Sequence, residues 1–242
     1  MFIFIPARKG SERVKGKNTR LFNGKPLINY TLDIAKELTS ESKIFISSDD
    51  LSIKKIAEKY AINFLLRPRE LSGSTATTES AICHFGNYIN LKRNDLVLLL
   101  QPTSPLRKIQ TAKSFVEDGK KLINDEKVDL VFSVNEFRED LWVSNFNKDS
   151  TPQYIDSECS RLFPNNPRRQ QERQPLYIEN SSYYLFKYGL LLNDKKNNTL
   201  ISGNNASYLI DEFESIDINT ELDFYYAEFV HKHILKKNIL NN

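Results

Sequence analysis

The residues best suited to chemistry lie in one short basic loop near the N-terminus. Residues 6–18 (PARKGSERVKGKN) hold five cations and two glycines and follow an apolar stretch, 2–5, that is typical of a buried strand. Glycines let backbone N–H groups approach an anion closely, and the cations neutralise its charge. A loop that follows a strand lies at the carboxyl end of the sheet, where open α/β sheets bind ligands. We therefore predict a phosphate-binding loop; the alternative is a solvated basic loop.

Two familiar phosphate-binding motifs do not describe this loop. A Walker loop has the spacing G-x-x-x-x-G-K-[ST]. Here Gly10 and Gly16 are one residue too far apart, and Asn18 follows Lys17 where a hydroxyl is needed. The dinucleotide fingerprint G-x-G-x-x-G is also absent from the sequence. The loop is therefore a phosphate site of another kind.

Alternating strands and helices in the first half of the chain predict the fold class. Strands are expected at 2–5, 43–47, 63–66, 95–100 and 128–134, and helices at 27–38, 51–60 and 75–90. Strands separated by helices form βαβ units with a mainly parallel sheet, so we predict an α/β fold. Such a sheet gathers the residues that follow its strands at one edge, beside the basic loop.

The second half of the chain departs from this alternation. Residues from about 136 to 180 are polar and lack helical periodicity. We interpret them as a lobe inserted into a single domain, residues 1–242. A last helix is expected at 220–237, after the capping residues Asn219 and Thr220. Its predicted buried face consists of Leu222, Tyr225, Tyr226, Phe229 and Ile234.

Composition and charge argue against several classes of protein. The chain of 242 residues has 34 basic and 31 acidic side chains, a net charge of +3 that is too balanced for a general nucleic-acid binder. Its two cysteines, Cys83 and Cys159, do not support a disulfide scaffold or a zinc finger. Because no apolar run reaches about 18 residues, we expect no membrane span and take the cytoplasm as the default location.

Several short motifs occur in a fixed order along the whole chain. They are IPARKGSERVKGKN (5–18), NGKPLI (23–28), SSDD (47–50), LRPREL (66–71), TATT (75–78), LQPTSPLR (100–107), Glu179-Asn180 with Tyr183, and SIDIN (215–219). Together they resemble the cytidylyltransferases that make CMP-sialic acid and related CMP-activated sugars. The resemblance implies a Rossmann-like sheet of the nucleotide-diphospho-sugar transferase type and a homodimer whose inserted lobe is a dimerisation arm contacting the sugar.

The activity implied by this resemblance is the transfer of CMP from CTP to the anomeric hydroxyl of a nonulosonic acid, with Mg²⁺ or Mn²⁺ as cofactor. Pyrophosphate is the other product. Two alternatives stay open at this point. One is a catalytically weak CTP-binding paralogue, and the other is a nucleotidyltransferase for another sugar such as 3-deoxy-octulosonic acid.

The basic loop is expected to bind the triphosphate. Arg8 and Lys17 are the first candidates, because Arg binds phosphate oxygens bidentately and Lys supplies a point charge. The backbone at Gly10 and the side chain of Ser11 complete the expected cradle. The remaining cations are interpreted as solvated or weakly steering: Lys9, Arg13 and Lys15.

The resemblance also assigns residues to the base and to the sugar acid. The residues assigned to cytosine are Asn18, Arg67, Ala76 and Thr78. Gln101 follows the apolar run 95–100, which puts it at the edge of the sheet, and the family's corresponding glutamine contacts the sugar acid. Arg169 and Arg173 are both candidates for the sugar carboxylate, with a polar dimer arm as the alternative for their segment.

The last two motifs depart from the family pattern. Asn180 and Tyr183 are assigned to the sugar pocket, but Ser181 follows Asn180 where relatives usually carry glycine. Asp217 and Asn219 occupy a metal motif that reads D-x-D in the family. Asn offers a carbonyl oxygen but no charge, so the change is expected to weaken Mg²⁺ binding. Asn219 alternatively caps the last helix.

Overall fold

The computed structural model describes residues 1–10, 13–125, 127–144, 159–193 and 199–235. The chain divides into two compact units. The first unit comprises residues 1–135 and 179–242, and the second unit comprises residues 136–178. Within the described ranges, no helix is both long and apolar enough to cross a bilayer.

Strands and helices alternate along the first unit. The described strands are β1 (Phe2–Pro6), β2 (Leu21–Phe22), β3 (Lys25–Pro26), β4 (Ile44–Ser48), β5 (Asn63–Leu66), β6 (Leu96–Leu99), β7 (Leu130–Phe137), β8 (Trp142–Val143), β9 (Ser160–Arg161), β10 (Leu176–Lys187) and β11 (Asn205–Leu209). The described α-helices are α1 (Leu27–Leu38), α2 (Leu51–Tyr60), α3 (Thr78–Ile89), α4 (Ile109–Asn124), α5 (Gly189–Asn193) and α6 (Glu221–Val230).

Seven of these strands form one mainly parallel sheet in the order β11-β7-β10-β6-β1-β4-β5. Strand β1 pairs in parallel with β4 and β6, β4 with β5, and β7 with β11, whereas β10 runs antiparallel to β6. The predicted α/β class with a mainly parallel sheet is therefore confirmed. Strand β11 was not expected from the sequence.

The core covers both faces of the sheet. Successive side chains of a strand point to opposite faces. Accordingly, Ile3 and Ile5 of β1 belong to one buried apolar cluster, and Phe4 belongs to another with Phe45 and Leu99. All five residues of β4 are buried. This double burial fixes the strand ends that carry the polar loops.

Helix α6 packs through a different face from the one predicted. The predicted residues are more than half exposed: Leu222 (77%), Tyr225 (58%), Tyr226 (51%) and Phe229 (55%). Phe224, Ala227 and Val230 are buried instead. The reason is that Phe224 packs edge-on against Phe22, at 5.7 Å between ring centroids, and lies under the guanidinium of Arg20. The side chain of Ile234 lies outside the described residues.

The cap of α6 also differs from one of the expectations. Thr220 is the N-cap, and its hydroxyl accepts a hydrogen bond from the backbone N–H of Asp223. The Asp223 carboxylate accepts from the backbone of Thr220 in return, which completes a capping box. The side chain of Asn219 is thereby left for other contacts.

The second unit has a short antiparallel pair, β8 with β9, and an ion pair between Arg161 and Asp140 at 2.7 Å. None of its described residues is buried. Its exposed large apolar residues are Leu141, Trp142, Val143, Leu162, Phe163, Tyr177 and Ile178. The interpretation of residues 136–180 as a dimerisation and sugar-contacting lobe stays a prediction.

Candidate active site

A cleft of about 370 Å³ lies in the first unit, where residues that follow β1 and β6 meet the segment before α6. Its volume falls within the range of small-ligand sites, about 300–1,000 Å³. Nine residues assigned to a site from the sequence line it: Arg8, Lys17, Asn18, Arg67, Ala76, Thr78, Gln101, Asp217 and Asn219. Pro6, Arg13, Thr77, Pro102 and Thr103 complete the lining.

The basic loop is held in place by its own hydrogen bonds. Arg8 donates from Nη1 to the carbonyl of Gly73 at 2.6 Å, and Asn18 donates from Nδ2 to the carbonyl of Arg8 at 3.1 Å. Lys17 donates from Nζ to the carbonyl of Ile218 at 2.7 Å. Both predicted cations therefore reach the cleft in fixed positions. Gly10 is outside the cleft lining, and Ser11 lies outside the described residues.

Burial lowers the pKa of Lys17 from its ordinary value, and the nearby Asp217 carboxylate opposes that shift. The ammonium group is thus partly stripped of water before any ligand arrives. An anion in the cleft would favour its charged form, because an opposite charge at short range raises the pKa of a lysine.

The end of β4 braces the loop from the other side. Asp49 accepts a hydrogen bond on Oδ1 from the backbone N–H of Lys9 at 2.8 Å, and Ser48 donates from Oγ to the carbonyl of Ala7. Asp50 is the N-cap of α2 and accepts from the backbone N–H of Ser52 at 2.8 Å. The two acidic residues therefore have separate roles, one in the loop and one in the helix cap.

Arg67 lies almost buried, at 6% exposure, on the side of the cleft lined by Ala76 and Thr78. Its Nε donates to Oγ of Ser47 at 3.0 Å, and its Nη2 donates to the Ser47 carbonyl at 2.9 Å. Burial lowers the pKa of this guanidinium to about 10, so it stays charged at neutral pH. A guanidinium has five N–H donors, which leaves others to face a base.

A buried arginine that sequence reasoning missed organises the turn after β6. Arg107 is buried, and its guanidinium donates to the carbonyls of Gln101 (2.7 Å), Ser104 (2.6 Å) and Ser182 (2.8 Å). These contacts tie the backbone of Gln101 to the neighbouring strand β10. The position of Gln101 at the cleft thus depends on a charged side chain that does not line it.

Two residues assigned to the sugar pocket do not reach the cleft. Asn180 is buried, and its Oδ1 accepts from Oγ of Ser133 at 2.6 Å. Tyr183 is fully buried and stacks on Phe115, at 4.9 Å between ring centroids. Both side chains are buried and contact the core, and their assignment to the sugar pocket stays a prediction. Ser181, between them, has a left-handed φ of 62°.

The two candidate arginines of the second unit differ in what they contact. Arg173 donates to the carbonyls of Pro167 (2.9 Å), Arg138 (3.0 Å) and Arg168 (2.9 Å). Arg169 is exposed over 81% of its side chain and contacts Glu172 at 3.4 Å. The guanidinium of Arg173 is therefore occupied within its own unit, whereas that of Arg169 is accessible.

The acidic segment before α6 brings three side chains together. Asn219 donates from Nδ2 to Oδ2 of Asp217 at 2.6 Å, and Arg13 donates from Nη2 to Oδ1 of Asn219 at 3.2 Å. Oδ1 of Asp217 is buried and has no hydrogen-bond partner among the described residues. Arg13, interpreted from the sequence as solvated or weakly steering, is exposed and also lines the cleft; its separation from Asn219 by 206 residues gave no local signal of this contact.

An unpartnered carboxylate oxygen of this kind fits a divalent cation. Mg²⁺ is commonly held by one or two carboxylates, with substrate phosphates and waters as its other ligands. Asp217 supplies one such oxygen, and loop cations line the same cleft beside it, since Lys17 contacts Ile218 and Arg13 contacts Asn219. Within the described residues, no group of three or more Asp, Glu, His or Cys side chains forms a metal cage.

Comparisons with known proteins identify relatives that match most of this chain. A curated relative named N-acylneuraminate cytidylyltransferase, from Escherichia coli O18:K1:H7, is 28% identical over 92% of this chain and 50% of its own length. The chain therefore spans about half the length of that relative. A relative named CMP-N,N'-diacetyllegionaminic acid synthase, from Legionella pneumophila subsp. pneumophila, is 31% identical over 93% of both chains.

A solved structure shows the same fold. CMP:2-keto-3-deoxy-manno-octonic acid synthetase complexed with CTP superposes with a TM-score of 0.62 at 13% identity, over 96% of this chain and 98% of the other. This likeness confirms the Rossmann-like fold of the nucleotide-diphospho-sugar transferase type. The family model described as Cytidylyltransferase matches residues 2–228, so the chain belongs to the cytidylyltransferase family.

Proposed function

We propose that this protein transfers CMP from CTP to the anomeric hydroxyl of a nonulosonic acid and releases pyrophosphate. The observation that carries the proposal is the cleft itself. Arg8, Lys17 and Gln101 line it together with Asp217, whose Oδ1 has no hydrogen-bond partner among the described residues. Relatives that match most of the chain are named for this chemistry with sialic-type acids.

The loop cations perform the electrostatic part of this reaction. Phosphoryl and nucleotidyl transfer depend chiefly on positioning and on neutralising the charge that develops on the phosphates. Arg8 is fixed by Gly73 and Lys17 by Ile218, so neither needs to reorganise when the triphosphate binds. Their charges would stabilise the departing pyrophosphate as the bond from the α-phosphorus to its bridging oxygen breaks.

The other end of the cleft suits a cytosine base. Cytosine presents a ring carbonyl, a ring nitrogen and an amino group, and therefore needs both donors and acceptors. Arg67, which lines the cleft, would supply donors, and Thr78 and the backbone of Ala76 in the same lining would supply a hydroxyl and a carbonyl group. Asn18 connects this side to the loop through its hydrogen bond to Arg8.

For the sugar acid, we assign Gln101 to the ring and Arg169 to the carboxylate. Gln101 lines the cleft. Arg169 is favoured over Arg173 because its guanidinium is accessible, whereas that of Arg173 is occupied by three carbonyl groups. A guanidinium binds a carboxylate bidentately, which suits recognition of a 2-keto sugar acid.

Magnesium, or manganese in its place, is the proposed cofactor. Asp217 would hold it through Oδ1, and the carbonyl oxygen of Asn219 already accepts from Arg13. When bound, the cation supplies charge neutralisation at the phosphates and fixes their orientation. The protein's own contribution is the carboxylate oxygen and the cations around it.

A homodimer formed through the second unit is part of the proposal. A unit of 43 residues, 136–178, in which none of the described residues is buried has too little core to be stable alone. Its exposed residues include the aromatic side chains Trp142, Phe163 and Tyr177, a type enriched at the centres of interfaces. A second copy would cover them. We place the reaction in the cytoplasm, where CTP is made.

The test is pyrophosphate release from CTP and Mg²⁺ with a panel of nonulosonic acids and a 3-deoxy-octulosonic acid control. Turnover with a nine-carbon acid supports the proposal and identifies the substrate. Turnover with the octulosonic acid alone supports the other sugar nucleotidyltransferase. If none of the acids gives pyrophosphate release, the proposal is wrong.

A second candidate function rests on Asn219, which carries no charge in the acidic segment. A catalytically weak CTP-binding paralogue would bind CTP without turnover. Calorimetry would then show that the unaltered chain binds CTP although it releases no pyrophosphate, and Asn219→Asp would restore pyrophosphate release. Turnover by the unaltered chain excludes this candidate.

A further inference from the structure

The amide of Asn219 is oriented from both sides. Its oxygen accepts from the guanidinium of Arg13 at 3.2 Å, and its nitrogen donates to Oδ2 of Asp217 at 2.6 Å. Its backbone N–H donates to Oδ2 of Asp223 at 3.0 Å. If the amide were reversed, its NH₂ group would face the Arg13 guanidinium and its oxygen would face the Asp217 carboxylate, and neither contact is a hydrogen bond. The side chain is therefore held in one orientation that connects a cation to an acid.

A carboxylate at position 219 would create a different site. Two carboxylates at this short range repel one another unless a cation lies between them. The amide of Asn219 instead satisfies Oδ2 of Asp217, so only Oδ1 is left without a partner among the described residues. The protein thus offers one carboxylate oxygen to a metal at this point, rather than a pair of carboxylates.

The positive charge on the other side of the amide belongs to the protein. Arg13 lines the cleft with Lys17 and Asp217, and its guanidinium donates a hydrogen bond to Asn219. A guanidinium has five donors in a planar fork that matches phosphate oxygens. Its remaining donors are available to an anionic ligand in the same cleft.

We propose that the Arg13–Asn219 pair puts a protein cation beside Asp217 where a second carboxylate would tighten metal binding, so that Asp217 is the one carboxylate of this pair of positions that a divalent cation meets. This inference rests on the proposed binding of CTP and deepens it, because it assigns part of the triphosphate recognition to Arg13. It also gives Asn219 a function other than a weakened metal ligand.

The first experiment measures Mn²⁺ binding by electron paramagnetic resonance without nucleotide, so that it depends on neither CTP nor turnover. Asn219→Asp should tighten Mn²⁺ binding about tenfold or more, because ligand charge sets the affinity of such sites. Asn87→Asp is the matched control, since it adds the same charge at an exposed position on α3. Equal Mn²⁺ affinity in the two variants would overturn the proposal.

The second experiment measures CTP affinity by calorimetry in the presence of Mn²⁺. Arg13→Met should weaken CTP binding about tenfold in the wild-type background, as expected for losing a charged hydrogen-bond donor. In the Asn219→Asp background, Arg13→Met should weaken CTP binding less than about threefold, because the bound Mn²⁺ there takes the place of the guanidinium. Equal losses in both backgrounds would contradict the exchange of a metal for Arg13. Failure of every variant to bind CTP would instead contradict the proposed function, while the Mn²⁺ comparison still decides on Asn219.

Discussion

The cleft of the first unit and the surface of the second unit are built in opposite ways. In the cleft, Arg67 and Lys17 are held by main-chain carbonyls, and the buried Arg107 ties down the turn that carries Gln101. In the second unit, by contrast, Trp142 is 54% exposed and Phe163 39%. Polar groups are thus fixed in the first unit, while apolar groups are left uncovered in the second.

This difference separates the two binding tasks of the proposed reaction. Preorganised charges bind a triphosphate with little reorganisation, so one copy of the first unit is sufficient for CTP. An apolar surface without cover acquires a fixed shape only when another surface packs on it. Recognition of the sugar acid by Arg169 is therefore expected to depend on dimerisation, and binding of CTP is not.

Removing a fixed cation from the cleft should have the largest effect. Arg8→Ala is expected to lower kcat/KM for CTP about 10³-fold, because a positioned cation on the phosphates contributes that much to transfer reactions. The measurement is pyrophosphate release at saturating sugar acid. Lys15→Ala is the matched control, since Lys15 is an exposed cation of the same loop. Equal losses in the two variants would show that general attraction, and not the fixed position of Arg8, binds the triphosphate.

A charge introduced on the exposed apolar surface of the second unit should impair turnover without changing CTP binding. Trp142→Asp is expected to weaken self-association by about 2 kcal/mol or more, because buried tryptophans are typical interface hot spots. Sedimentation should show monomers, turnover should fall, and CTP affinity by calorimetry should be unchanged.

Helix α6 provides the matched control for this experiment. Leu222→Asp introduces the same charge at a side chain that is 77% exposed in the first unit. It should leave the dimer intact. If Leu222→Asp produced monomers and Trp142→Asp left the dimer intact, the interface would lie at helix α6 and the proposed interface on the second unit would be wrong.

Short apolar runs in the sequence predicted the strands that are buried on both faces. Strands β1 and β6 are continuous apolar runs and β4 begins with three apolar residues, because both faces of the central sheet are covered. Strand β11 escaped prediction because its sequence NASYL alternates between exposed and half-buried positions. Helix α6 has apolar residues on two stripes, so its periodicity could not identify the stripe that packs on Phe22.

The candidate site was predictable where a residue directly follows a strand. Arg8 and Gln101 lie just after β1 and β6, and the topology brings them together. The roles of Arg13 and Arg107 were missed because their partners lie far away in the chain, 206 residues for Arg13 and 75 for the contact of Arg107 with Ser182. The burial of Tyr183 was not predicted, because the sequence does not show whether a strand residue faces the cleft or the core.

Replacing the candidate arginine Arg169 by alanine should have a moderate effect on KM for one substrate only, the sugar acid. Arg169→Ala is expected to raise KM for the sugar acid about tenfold through the loss of a charged hydrogen bond, with KM for CTP unchanged. Arg173→Ala, by contrast, removes three main-chain contacts and should lower the melting temperature. A raised KM with Arg173→Ala at an unchanged melting temperature would reverse this assignment.

The smallest expected effect concerns the backbone of β10 in the first unit. Ser181 has a φ of 62°, a conformation that costs an L-residue about 1–2 kcal/mol. Glycine adopts this φ freely but loses about 0.5–1 kcal/mol through its freedom in the unfolded chain. Ser181→Gly should therefore raise the free energy of unfolding by about 0.5–1 kcal/mol and leave kcat unchanged. Denaturation by urea measures the first and pyrophosphate release the second. A loss of stability would mean that the Ser181 side chain, and not its backbone conformation, determines the energetics of this position.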